Sequence, residues 1–77
     1  MSDKQSGTAT DTTYNLISIT YHALQAVDTY HGYARDAEEN GDKEATSLIE
    51  MAIGQQRELA AQARKLLAQR LNQSSGA

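Results

Sequence analysis

Between Asp42 and Leu71 the apolar residues of this 77-residue chain recur with a helical period for about eight turns, and this restricts the fold more than any other feature. At about 100° per residue, Ala45, Leu48, Ile49, Ala52, Ile53, Leu59, Ala60, Ala63, Leu66, Leu67 and Leu71 gather on one side. Glu50, Arg57, Ala61, Arg64 and Ala68 fall on the other. The central line of the stripe, Ala45, Ile49, Ala52, Gln56, Leu59, Ala63, Leu66 and Arg70, advances by alternating steps of four and three. That is the heptad spacing of a helix lying along another helix. A polar residue, Gln56, interrupts it at the centre.

The partner helix lies upstream. Residues 1–11, MSDKQSGTATD, are small, polar and patternless, a composition expected to remain a flexible tail because it offsets little of the entropy of ordering. Asp11, Thr12 or Thr13 suits an N-cap, and from Tyr14 the line Leu16, Thr20, Ala23, Val27, Tyr30, Ala34, Ala37 repeats the four-and-three step. Ile17, Ile19, Leu24 and His31 flank it. Gly41 suits the left-handed position that closes a helix, and Asp42 suits the N-cap of the next. The expectation is an antiparallel hairpin spanning 12–72, with helices over about 13–39 and 43–71 and a second flexible tail at 73–77. Arg64, Lys65 and Arg70 would then stand near a helix end whose dipole favours cations.

Composition narrows the alternatives. The chain has no Cys, which excludes disulfides and thiolate metal sites, and no Pro, so nothing interrupts a long helix. The net charge is −3 with scattered bases, which gives no electrostatic footprint for nucleic acid. No apolar run reaches the roughly 18 residues of a membrane span, and the start lacks the pattern of a secretory signal. A cytoplasmic protein is expected. Each stripe is wider than one neighbouring helix covers, and a chain this short buries little by itself. Two hairpins packed face to face make a closed four-helix bundle, and symmetric dimers are the commonest oligomers. The predicted interface is Leu16, Thr20, Ala23, Val27, Tyr30, Ala52, Gln56, Leu59, Ala63 and Leu66. The twelve Ala residues permit close approach, and Leu, Ile and Tyr supply bulk in the absence of Phe and Trp. A higher oligomer, or a different helical protein laid on the stripe, is the alternative; the evenness of the two stripes favours self-pairing.

Leu24-Gln25-Ala26-Val27-Asp28-Thr29-Tyr30, the short acidic turn and Gln56-Arg57-Glu58-Leu59-Ala60-Ala61 together resemble the ferritin-like hairpins of encapsulated ferritins over about residues 14–71. The resemblance implies that paired hairpins form a ferritin-like four-helix bundle. In that family a Glu of the first helix and a Glu-x-x-His of the second ligate iron at the dimer interface. The matching positions here hold Ala23, Gln56 and Leu59, so the resemblance extends to the fold and not to ferroxidase chemistry. Nor does the tail resemble an encapsulin-docking peptide.

Few side chains carry chemistry. Gln56 reads as a register-setting amide, as core Asn does in coiled coils, rather than as a ligand, since a neutral amide binds iron poorly. Asp28 and His31 form a carboxylate-x-x-His pair of the kind used in bundle metal sites, but at the edge of the stripe, where an ion pair or cap is the commoner role. His22 lies on the solvent side. Tyr14, Tyr21, Tyr30 and Tyr33 cluster in the first helix and read as amphipathic packing, with Tyr30 inward. Gly32 and Gly54 fall outward. No nucleophile–base arrangement, phosphate loop or inward carboxylate pair can be assembled. The reading is therefore a non-catalytic structural or interaction module without metal or cofactor. Its rival is a metal-binding ferritin-like protein using Asp28, His31 and either Glu50 or Glu58 at the dimer interface.

Overall fold

A computed structural model describes residues 12–76, with side chains described through Asn72. It is all-helical: α1 spans Thr12–Glu39 and α2 spans Lys43–Gly76, packed against each other as a hairpin. The expected segment 1–11 and Ala77 lie outside the described residues.

The turn forms where the residue types favour it. Gly41 adopts φ 71°, the left-handed conformation that costs an L-residue with a Cβ about 1–2 kcal/mol. Two hydrogen bonds close the end of α1: Gly41 N–H donates to the Glu38 carbonyl at 3.0 Å, and Asp42 N–H donates to the Ala37 carbonyl at 2.9 Å. These are the paired bonds of a Schellman motif. Asp42 also begins α2, because its Oδ1 accepts from the Ala45 N–H at 3.0 Å and its carbonyl accepts from the Thr46 N–H at 3.0 Å. That is N-cap geometry, with Glu44 in the first turn adding a favourable charge at the positive end of the dipole. Gly41→Ala is expected to lower stability by about 1 kcal/mol, since a Cβ there meets no neighbouring atom and only the backbone conformation opposes it. Urea unfolding measures this, and an unchanged midpoint would show that the turn tolerates another shape.

The far end of α2 differs from expectation. Helical backbone continues to Gly76 rather than ending near Leu71, since no Pro or helix-ending turn signal follows Asn72 until Gly76. Arg64, Lys65 and Arg70 therefore stand inside the helix, and its last turn carries no base.

The seam between the helices is dominated by alanine. Its buried members are Ala23, Val27, Ala34 and Ala37 of α1 with Ile53, Ala60 and Ala63 of α2. Among the described residues no large side chain is fully buried. Thr20, on the same line, satisfies its hydroxyl by donating to the Leu16 carbonyl at 2.8 Å. Alanine has little side chain to hold helices apart, so this line permits close approach of the two backbones. The molecule is 14 Å across in its thinnest dimension, about one helix thick. A stable domain ordinarily needs two packed layers to cover its apolar faces. This hairpin supplies one.

Candidate interaction surface

The predicted interface residues separate into three groups. Ala23, Val27 and Ala63 are buried in the seam, while Leu16, Thr20, Tyr30, Ala52 and Gln56 are half-buried at its margins. Leu59 and Leu66 remain 46% and 36% exposed, although the heptad count places them on the central line of α2. The seam of α2 runs instead along Ile49, Ile53, Gln56, Ala60, Ala63 and Leu67, rotated away from the edge that carries Leu48, Leu59 and Leu66. A stripe wider than one helix has two edges. The hairpin buries the edge with Ile53, Ala60 and Ala63 and leaves the edge with Leu48, Leu59 and Leu66 open.

On that open side Leu48, Leu59 and Leu66 of α2 lie beside Ile19 and Tyr33 of α1, with Leu48 63%, Tyr33 53% and Ile19 42% exposed. Near the turn, Tyr30, Tyr33, Leu48, Ile49 and Ala52 enclose a shallow groove with an entirely apolar lining. Its tyrosine wall is preformed: the rings of Tyr30 and Tyr33 stack at 5.7 Å with 28° between their planes. Tyr21 is 60% exposed, and its ring meets His22 edge-on at 5.3 Å.

The opposite face mixes charge with exposed apolar side chains: Ile17, Leu24 and His31 follow at seven-residue steps along α1, and Ile17 and Leu24 are both exposed. His31, Arg35, Glu38 and Glu50 line a hollow over Ala34 and Ile53. The His31 Nε2 accepts from Arg57 Nη2 at 3.3 Å, an exposed cross-helix contact. Arginine only donates, so in this contact the ring proton sits on Nδ1. Asp28 is exposed one helical turn before His31. Asp28 and His31 thus do not converge with a third ligand, and among the described residues no group of three or more His, Asp or Glu is placed to hold a metal ion. Spacing along α1 gave no hint of the Arg57 partner, because that contact depends on how the two helices are rotated against each other. Glu58, the other carboxylate weighed with this pair, accepts from Gln62 Nε2 at 2.7 Å on the outside of α2.

Gln56 sits on the seam but is not sealed in it, and no buried side-chain N or O among the described residues lacks a hydrogen-bond partner. Gln56→Leu is expected to stabilise the fold by on the order of 1 kcal/mol, as apolar volume replaces a half-buried amide. Specificity should fall in exchange, seen as additional oligomers in native mass spectrometry. A destabilised variant with unchanged assembly would show that the amide makes an essential hydrogen bond.

No described helix is long and apolar enough to cross a membrane. Neither the family models, nor the curated proteins, nor the solved structures contain a match to this chain.

Proposed function

We propose that this chain is a non-catalytic structural or interaction module of the cytoplasm, acting as a homodimer in which two hairpins close a ferritin-like four-helix bundle. One observation carries the reading: among the described residues five of the seven buried ones are Ala, while large apolar residues on both faces stand outside the seam. That is the reverse of a self-sufficient core, in which the bulkiest aliphatic side chains are inside. Covering Ile19, Leu48, Leu59 and Leu66, each partly exposed, contributes about 1 kcal/mol per side chain. Among the described residues nothing covers them, and a second hairpin would. Sedimentation equilibrium at micromolar concentration should give twice the chain mass, with a melting temperature that rises with protein concentration. A folded monomer whose melting is independent of concentration would refute the dimer. Stoichiometric iron or zinc in protein purified without chelator, lost on His31→Ala, would replace the reading with a metal-binding one.

A further inference from the structure

We propose that Asn40 is a site of spontaneous covalent modification: it deamidates through a cyclic imide closed by the Gly41 nitrogen, and the product loosens the turn that makes the chain a hairpin.

The sequence sets the reacting groups side by side. Ring closure needs the main-chain nitrogen after an Asn to reach that residue's side-chain carbonyl carbon, and a Cβ on the following residue crowds the approach. Of the three Asn residues, Asn15 precedes Leu16 and Asn72 precedes Gln73, whereas Asn40 precedes Gly41, which has no Cβ. The fold sharpens the contrast. Asn15 and Asn72 lie within α1 and α2, where the next nitrogen is tied into helical backbone. Asn40 and Gly41 lie in the turn between the helices and are both exposed, and the Asn40 side chain has no hydrogen-bond partner among the described residues.

The step balances without any partner but water. The Gly41 nitrogen loses its proton and bonds to the Asn40 Cγ, the Cγ–Nδ2 bond breaks, and the side-chain nitrogen leaves with that proton as ammonia. Water then opens the five-membered imide at either carbonyl. Opening at the side-chain carbonyl restores the main chain with an aspartate in place of Asn40. Opening at the main-chain carbonyl routes the chain through the former side chain, an isoaspartyl link longer by one CH2.

The folded turn gates this reaction. The attacking nitrogen donates to the Glu38 carbonyl at 3.0 Å and must release it first. One exposed hydrogen bond is a small barrier to local opening, so the folded chain reacts roughly tenfold more slowly than the unfolded chain. Either product then works against the turn. The aspartate adds a carboxylate to Asp36, Glu38, Glu39, Asp42 and Glu44 and takes the net charge from −3 to −4. The isoaspartyl link puts an extra carbon between α1 and Gly41, whereas the bonds from Gly41 to Glu38 and from Asp42 to Ala37 depend on a fixed spacing.

Full-length protein is incubated at mildly alkaline pH, folded and in parallel in guanidinium chloride, and digested with trypsin, which releases residues 36–43 as one peptide. That peptide should show the mass gain of an amide turned acid before any other, as two chromatographic products, about tenfold more slowly in the folded sample. Deamidated protein, separated by its added charge on an anion exchanger, should unfold at a lower urea concentration than the parent. Asn40→Gln, which must close a six-membered ring, should keep its mass. If peptide 36–43 stays unmodified in the folded chain while the unfolded sample converts fully, the turn protects Asn40 and the proposal fails. Earlier conversion at Asn15 or Asn72 overturns the choice of site, and an unchanged urea midpoint overturns the loosening.

Discussion

Leu59→Glu is expected to dissociate the protein and unfold most of it at micromolar concentration. The substitution exchanges a half-exposed leucine on the open edge of α2, which the proposed dimer would cover, for a carboxylate. Placing an unpaired charge in an apolar contact costs roughly 3 kcal/mol per chain, so about 6 kcal/mol per dimer, or some four powers of ten in Kd. Far-ultraviolet circular dichroism and sedimentation read the two losses together. Ala61→Glu places the same residue at an exposed position outside both lines and should stay within about 0.5 kcal/mol of the parent. Equal tolerance of both variants would mean that the leucine edge is open to water in solution.

The second large effect lies in the seam. Ala60 is 2% exposed and Ala23 is 3% exposed. They stand 18 residues after Asp42 and 17 before Asn40, at matching heights on antiparallel helices. Ala60→Leu therefore drives three extra carbons into the narrowest part of the hairpin. Overpacking of this kind costs about 2 kcal/mol, a fall of roughly 10 °C in melting temperature for a domain of this size. Leu67→Ala, at the half-buried distal end of the same line, should be milder. A stabilised Ala60→Leu protein would show that the helices separate freely and that close approach is not what the alanines provide.

The hairpin was readable in the sequence because its determinants are local. Gly41 and Asp42 specify the turn through their own backbone and side-chain preferences, and the four-and-three step specifies the faces on either side. The rotation of α2 about its axis was not readable from periodicity, which identifies a wide stripe without ranking its two edges. The contacts that decide it are tertiary, with Ile53, Ala60 and Ala63 buried against α1 while Leu48, Leu59 and Leu66 stay outside. The His31–Arg57 contact was hidden for the same reason, being set by the angle at which the helices meet. The helical extension to Gly76 runs through polar residues that carry no apolar period, so amphipathic counting ends before the helix does.

Gly41 has a consequence larger than its local conformation. If residues 40–42 were helical, Thr12–Gly76 would form one rod of 65 residues, about 97 Å long, instead of a folded-back pair. The α1 line that ends at Ala34 and Ala37 would run on through positions 41 and 45 into Leu48, Ala52, Leu59 and Leu66 with a single stutter in its heptads. The apolar pattern is thus compatible with two shapes, a compact bundle and an extended coiled coil. The handedness of one backbone residue selects between them.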